Sequence, residues 1–368
     1  MAVPIEKILD EARFAPSGDN LQPWLFKVHS ESHIALYKSV PENVTEPAYF
    51  FTGTSRGLGC IVENVVIAAL HFGYSAEITL SEEMDTDSDF IADIRFTPGV
   101  FSPQEKEDNE KLFLVMRARR TDRRHYQKKS LSDATKQRLA ATALQAGGRL
   151  YFVEGEKRLR RFGKAITAQD DYFWTDALLR DNLIKTIHFS RQDQAASSGM
   201  PLPTLGLGWL GVFSKMTFLL AYRMDWLWKI VSWQSKVAMR KTYTASGALM
   251  FLTLPQQSRI KPYQGGWCWQ DSFQGGRIAE RLWLSATAEG LSLQPQYAYV
   301  GMADNKGNES LGPVFAEANR QIMIFLSSEF PWLASETLVF AFRVGYPLSA
   351  RPAPGSPRKK VEDIVWRS

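Results

Sequence analysis

The sequence is poor in the residues that build metal centres and disulfide frameworks. Its 368 residues include two cysteines, Cys60 and Cys268, in separate segments without C-x-x-C spacing. The five histidines form no H-E-x-x-H pair. These patterns indicate neither a disulfide scaffold nor a zinc site, and we expect no metal.

A leader pattern and long uncharged apolar runs are also missing. Residues 1–7 contain no basic region followed by an apolar core, so no secretory signal is visible and a cytoplasmic location is expected. The most apolar stretch, 205–233, is interrupted by charges, so we expect no integral membrane segment. Three interpretations of this stretch stay open: a buried helix pair, a lid over a ligand, or a membrane-surface helix.

Charge of one sign is present only in modest excess. Lys and Arg number 44 against 39 Asp and Glu, which gives a net charge of +5. Such a balance suits an anionic ligand such as a phosphate, and no RNA- or DNA-binding signature accompanies it. We therefore expect a small-molecule partner and no nucleic acid.

The chain is about twice as long as a typical domain, and it contains an internal repeat. Segments 59–74 and 276–291 align without gaps, and each has apolar residues at helical spacing and a terminal glycine that fits a C′ cap. The matched pairs include Gly59 and Gly276, Ile61 and Ile278, Glu63 and Glu280, Ala69 and Ala286, and Gly73 and Gly290. We predict two related helices from a duplicated unit, and chance similarity between two amphipathic helices is the alternative.

The predicted halves are residues 1–110 and 111–368, and an aromatic-rich insert occupies about 195–240 of the second. Residues 81–109 are acidic and irregular, so we predict a linker with little structure of its own.

The loop at 15–24, A-P-S-G-D-N-L-Q-P-W, joins a predicted helix (5–14) to a predicted strand (25–28). Two prolines and four small polar residues favour a stiff turn that presents a fixed array of polar groups, although an ordinary connection has a similar composition. The second half joins helix 136–145 to strand 149–153 by only Ala-Gly-Gly at 146–148. We therefore expect one working ligand site per chain.

Two basic segments are candidate phosphate contacts. In R-R-T-D-R-R-H-Y at 119–126, alternate residues would share one face of an extended chain, and guanidinium groups beside a hydroxyl suit a phosphate. A solvated basic run is the alternative. The second segment follows R-V-G-Y-P at 343–347, where a proline-rich arm ends in the basic residues at 358–360.

A glycine-rich string at 52–59, T-G-T-S-R-G-L-G, matches the phosphate-binding turn of short-chain dehydrogenases. That family also requires a Tyr four residues before a Lys, and this sequence has no such pair. We interpret these glycines as the entry to the first repeat helix.

The string A-P-S-x-x-N-x-Q-P-W resembles the flavin-edge loop of the nitroreductase family, and the arginine motif resembles that of its tandem, Acg-type branch. The resemblance implies an α+β fold of two fused nitroreductase-like halves that form an intramolecular pseudo-dimer, with mixed or antiparallel sheets flanked by helices. It also implies FMN between the halves, NAD(P)H as transient electron donor, and no catalytic side chain, because the flavin carries the chemistry. The chain would be a monomer or a further homodimer.

Carried over by motif, the resemblance implies cofactor contacts from four segments: Pro16, Ser17, Gly18, Asn20 and Gln22; Arg119, Thr121 and Arg123; Pro295, Gln296 and Tyr297; and Arg358 and Lys359. The function it implies is electron transfer to a small nitroaromatic or quinone-like acceptor. Because the Acg-type branch is associated with a lid over the flavin, an FMN storage or sequestration protein is the main alternative. A flavin-dependent tailoring dehydrogenase is a third.

Overall fold

The computed structural model describes residues 2–39, 48–81, 89–189, 197–207, 211–255, 269–304 and 312–367. The α-helices are α1 (Ile5–Ala12), α2 (Ala48–His71), α3 (Pro103–Phe113), α4 (Asp133–Gln145), α5 (Glu156–Ile166), α6 (Ala168–Thr175), α7 (Ala177–Thr186), α8 (Gly211–Arg223), α9 (Leu227–Thr244), α10 (Trp269–Ala288), α11 (Tyr297–Asp304) and α12 (Pro313–Glu329). The strands are β1 (Trp24–Ser30), β2 (His33–Lys38), β3 (Tyr74–Leu80), β4 (Phe90–Pro98), β5 (Arg149–Val153), β6 (Ile187–His188), β7 (Met200–Pro201), β8 (Ala248–Pro255), β9 (Ser292–Pro295), β10 (Glu336–Gly345) and β11 (Val365–Arg367).

Two sheets organise the chain. The first has the order β11-β1-β2-β4-β3 and is antiparallel except where β11 runs parallel to β1. The second, β5-β8-β10-β9, is antiparallel throughout. The prediction of an α+β fold with mixed or antiparallel sheets flanked by helices is therefore confirmed.

The predicted linker over 81–109 is wrong for most of its length. Strand β4 pairs with both β2 and β3, and Ile94 and Phe96 of this strand are buried in the first core. Helix α3 begins at a capping box in which Ser102 and Glu105 bond each other's backbone amides. The acidic composition concealed the alternation of apolar residues in β4. Residues 82–88 lie outside the described residues.

The two repeat segments lie in α2 and α10, which cross in direct backbone contact. A Cβ atom on Gly59 would lie 1.9 Å from the carbonyl oxygen of Phe273, and one on Gly276 would lie 2.0 Å from that of Arg56. Each glycine thus meets the residue three positions before its repeat counterpart. Such reciprocal contact is the pattern of an isologous interface.

The ends of these helices also agree with the sequence analysis. Gly73 and Gly290 follow α2 and α10 with φ of +87° and +74°, the left-handed conformation of a C′ cap. The glycine-rich string 52–59 lies inside α2, as expected for a helical segment rather than a phosphate-binding turn.

The aromatic-rich insert contains the helical hairpin α8–α9. On its inner side Ala221, Trp228 and Val231 are buried, and they form a small core with Trp174 of α6. The inner side of the hairpin therefore agrees with the prediction of a buried helix pair within 205–233. The side chains on its outer side are exposed. Among the described residues, every helix is too short or too polar to cross a bilayer.

Candidate functional site

A cavity of about 290 Å³ is lined by residues from the N-terminal segment 16–60 and from the later segments 121–186 and 283–341. The loop of residues 16–23 forms one wall, and α2, α10, β9 and α11 contribute to the others. Its apolar lining comes mainly from Pro16, Leu21, Pro23, Trp283, Pro295, Tyr297, Val300, Phe340 and Ala341. Its polar lining includes Ser17, Asp19, Thr54, Arg56, Thr121, Arg123, Asn182, Thr186 and Gln294. Apolar walls with a few convergent polar groups are typical of small-molecule sites.

The loop keeps an uncommon backbone conformation. Asp19, Asn20 and Gln22 have φ of 47°, 57° and 52°, and the structure shows no other non-glycine residue with positive φ in its described ranges. The hydroxyl of Ser17 accepts the amide N–H of Gln22 at 2.9 Å, and the Asn20 amide donates to the carbonyl of Pro357 at 2.9 Å. Strain of this kind persists where surrounding contacts fix it, commonly at functional sites.

A second, smaller pocket of about 70 Å³ adjoins the cavity and shares five lining residues with it: Pro16, Ser17, Asp19, Thr121 and Arg123. Its lining carries four guanidinium groups and one carboxyl group, from Arg119, Arg120, Arg123, Arg358 and Asp19. We call this the basic pocket. Positive charge is thus concentrated at one end of a largely apolar cavity.

Arg358 contributes one of the guanidinium groups of the basic pocket. Burial, together with the charges of Arg119 and Arg120, lowers the pKa of Arg358 to about 9. Its Nη1 donates to Asn20 Oδ1 at 2.6 Å, but its buried Nε lacks a hydrogen-bond partner in the described part of the chain. An anion in the basic pocket would supply the missing negative charge.

Arg119 is held from several sides. Its Nη2 donates to the carbonyl of Phe14 at 2.8 Å, and its guanidinium lies 4.4 Å from the ring centroid of Trp283. Its Nε lies 3.3 Å from Glu280 Oε1, and both groups are almost fully buried. Burial raises the pKa of Glu280 to about 7, although Arg119 acts in the opposite direction.

A strip of residues 197–206 lies against the loop and the arginine motif. Arg123 Nη1 donates to the carbonyl of Thr204 at 2.9 Å, and Asn20 exchanges hydrogen bonds with Gly199. The side-chain amide of Gln22 donates to the carbonyl of Ser197 at 2.8 Å. These contacts come from residues that precede the stretch 205–233, for which a lid over the ligand stays a prediction.

Most of the residues expected at the site surround these two cavities. The main cavity is lined by Pro16, Ser17, Gly18, Thr121, Arg123, Pro295 and Tyr297, and the basic pocket adds Asn20, Arg119 and Arg358. Gln22, Gln296 and Lys359 are outside both linings. Gln22 Oε1 accepts the Lys359 amide N–H, while Gln296 Oε1 accepts the Tyr243 hydroxyl, so these side chains connect segments around the site.

Arg56 and Asp19 also line the cavity, although the sequence did not predict them as site residues. Arg56 lines the cavity from α2, donates to the carbonyl of Val339 at 2.6 Å and pairs with Asp304 at 2.9 Å. One feature of the sequence could have identified Arg56: it is the one arginine of α2 and stands among small and apolar residues. Asp19 lines both cavities, and burial raises its pKa although Arg123 opposes the shift.

No protein-family model matches the sequence. An uncharacterized protein of Mycobacterium tuberculosis, MT1398, is 24% identical over 299 residues, which is 79% of this chain and 38% of that protein. The chain therefore spans under two fifths of that relative's length.

Solved structures with a similar fold include the FMN-dependent nitroreductase NfnB from Mycobacterium smegmatis in complex with NADPH, at TM-score 0.38 and 14% identity. That match covers 71% of this chain and 98% of the other. A nitroreductase with bound FMN from Desulfitobacterium hafniense matches at TM-score 0.36 and 13% identity, over 69% and 95% of the two chains. Both TM-scores are below 0.5, so these likenesses assign no function to this chain.

Proposed function

We propose that this protein is an FMN-dependent oxidoreductase with one flavin site per chain, formed between two fused halves. The observation that carries the proposal is an apolar cavity, bordered by a rigid polar loop, that continues into a pocket with four guanidinium groups. A flat ring attached to a phosphate has the same division between an apolar and an anionic end.

The residues present fit such a cofactor. Arg119, Arg123 and Arg358 would hold the phosphate, because their buried charges exceed the negative charge nearby and Arg358 Nε lacks a partner in the described residues. The hydroxyls of Ser17 and Thr121 line both cavities and could hydrogen-bond the polar groups between ring and phosphate. When bound, FMN would supply two-electron transfer from NAD(P)H to a small acceptor.

The pseudo-dimer belongs to this proposal. The reciprocal contacts of Gly59 and Gly276 support a duplicated helix pair, and the cavity takes its loop from one half and Thr121, Arg123 and Pro295 from the other. The cavity receives a ligand loop from the first half only, because the second has Ala-Gly-Gly at 146–148. A measured stoichiometry of two flavins per chain would contradict the single site.

The decisive experiment compares FMN with riboflavin, which lacks the phosphate. We expect flavin-free protein to bind FMN at least about tenfold more tightly, because charge-assisted hydrogen bonds contribute about 1.5–3 kcal/mol. Titration followed by flavin fluorescence measures both affinities. Arg358→Ala should remove most of the preference, whereas Lys360→Ala, an exposed basic residue of the same arm, should preserve it. Equal binding of both flavins by the unmodified protein would contradict the assigned phosphate contacts.

Sequestration is the second candidate, because the strip 197–206 is bonded to Asn20, Gln22 and Arg123 at the site. Anaerobic mixing of the flavin-loaded protein with NADPH separates the two functions. Bleaching followed by reoxidation with a quinone supports the oxidoreductase, and flavin that stays oxidised supports sequestration.

A further inference from the structure

The outer side of the α8–α9 hairpin carries an unusual concentration of exposed apolar residues. Eight of the seventeen large hydrophobic side chains that are exposed in the described ranges fall within residues 216–233. They are Met216, Leu219, Leu220, Tyr222, Met224, Trp226, Ile230 and Trp233. Tyr222 is turned to the inner side, because its ring lies 5.3 Å from that of Trp228 and its hydroxyl donates to Asp181 at 2.7 Å. We call the other seven residues the hairpin patch. Concentrated exposed apolar surface of this kind marks an interaction site.

The spacing shows that the patch follows helical faces. Met216, Leu219 and Leu220 stand at i, i+3 and i+4 on α8, while Trp226, Ile230 and Trp233 stand at i, i+4 and i+7 along α9. Trp226 and Trp233 are 59% and 63% exposed. The opposite side of the same hairpin is already used, because Trp228 and Val231 are buried against α6. The exposed apolar residues of the hairpin are therefore not part of the small core that holds it against α6.

The charge of the hairpin restricts its partner. Residues 216–244 contain five basic residues and a single acidic one, Asp225, so this short segment carries +4 of the chain's net charge of +5. Arg223, Lys229, Arg240 and Lys241 are exposed. Exposed tryptophans flanked by lysine and arginine are the composition of helices that lie in a lipid interface.

We propose that the hairpin patch docks this protein peripherally on an anionic lipid surface. Trp226, Trp233 and the aliphatic residues would enter the headgroup boundary, and the basic residues would contact lipid phosphates. A neutral protein surface would complement the apolar residues but leave the concentrated positive charge without a counterpart.

Vesicle flotation tests the proposal on the full-length chain. We expect the protein to float with vesicles of phosphatidylcholine and phosphatidylglycerol, to float weakly with phosphatidylcholine alone, and to be released by high salt. Each basic residue near such a surface contributes about 1 kcal/mol, so Lys229→Ala should lower partitioning about fivefold. The double variant Trp226→Ser, Trp233→Ser should abolish flotation.

Matched controls keep the result specific to the hairpin. Leu114→Ser with Ile324→Ser removes exposed apolar residues elsewhere, and Lys106→Ala removes an exposed charge on α3; both variants should float as the unmodified protein does. Circular dichroism verifies that each variant is folded.

No flotation with anionic vesicles, or equal flotation with neutral ones, overturns the proposal. Concentration-dependent dimerisation that the tryptophan variant abolishes, without vesicle binding, would overturn it in favour of a second copy as occupant. None of these outcomes depends on flavin.

Discussion

The two repeat helices carry glutamates at matched positions, and the surroundings of these glutamates differ. On α2, Glu63 Oε2 accepts a hydrogen bond from Arg277 Nε at 3.1 Å, and its Oε1 accepts one from Arg281 at 2.5 Å. Burial would raise the pKa of Glu63, but the two arginines outweigh it and lower the pKa. On α10, Glu280 is fully buried with Arg119 at 3.3 Å, and its pKa is raised.

Two glutamates at matched positions of the aligned segments therefore have different roles. Glu63 joins the two helices, because both of its arginine partners stand on α10. Glu280 instead pairs with Arg119, and the side chain of Arg119 lines the basic pocket. The backbone crossing at the glycines is reciprocal, whereas the carboxyl groups are asymmetric. We infer that the glycine contacts fix how the two helices cross, whereas the charged side chains beside the crossing differ. Glu63 links α2 to α10, and Glu280 pairs with Arg119 at the basic pocket.

The largest expected effect comes from the crossing itself. Gly59→Ala and Gly276→Ala should each lower the free energy of unfolding by about 3 kcal/mol, because each new methyl group would meet a backbone carbonyl on the other helix. Urea denaturation measures both values. Gly53→Ala, in the same helix but with only ordinary contacts to Tyr297, is the control and should be neutral or stabilising. Strongly unequal effects at Gly59 and Gly276 would contradict the reciprocity.

Next in size is the loss of the interhelical ion pairs. Glu63→Gln should destabilise the protein by about 2 kcal/mol at pH 7, since it leaves two arginines without their carboxylate partner. Because the folded pKa of Glu63 is lowered, its contribution is present above pH 4.5 and is lost as the pH falls further. The gap between the variant and the unmodified protein should therefore shrink below pH 4.5, and a gap independent of pH would contradict the assignment.

Glu280→Gln should have the opposite sign. The folded pKa of Glu280 is about 7, above its ordinary value of 4.5, so ionisation of this carboxyl costs stability as the pH rises through that window. In flavin-free protein we expect the variant to be at least about 1 kcal/mol more stable at pH 8 and nearly equal to the unmodified protein at pH 4.5. The attraction of Arg119 is already included in the raised pKa, because it opposes the effect of burial. Destabilisation at pH 8 would show that the ion pair outweighs burial.

The smallest effect is expected at the helix ends. Gly73→Asn and Gly290→Asn should each change stability by less than about 0.5 kcal/mol, because asparagine tolerates the left-handed conformation and a Cβ at either position meets open space. Thermal denaturation of the two variants should give equal shifts. A difference between them would indicate that the symmetry of the helix pair does not extend to its ends.

Residue spacing and turn residues in the sequence predicted much of this architecture. The remaining features depend on contacts between residues that are far apart in the chain. The repeat helices, their terminal glycines and the strand at 149–153 followed from spacing and turn chemistry. Strand β4 was missed because acidic neighbours dominated its composition. The roles of Arg56 and Glu280 depend on partners 283 and 161 positions away, Val339 and Arg119, which sequence periodicity does not reveal. The strain at Asp19 likewise depends on packing around the loop.

Strand β11 and the arm before it have a consequence for biosynthesis. Asn20 bonds the carbonyl of Pro357 across 337 positions of the chain, and β1 pairs with β11. At ribosomal speeds of 5–20 residues per second, the N-terminal sheet waits about 17–70 s for its last strand. During that interval one edge of β1 is open, and open edges invite pairing with other chains. The nascent protein therefore stays exposed to misassembly at this edge until the segment that completes the basic pocket has emerged.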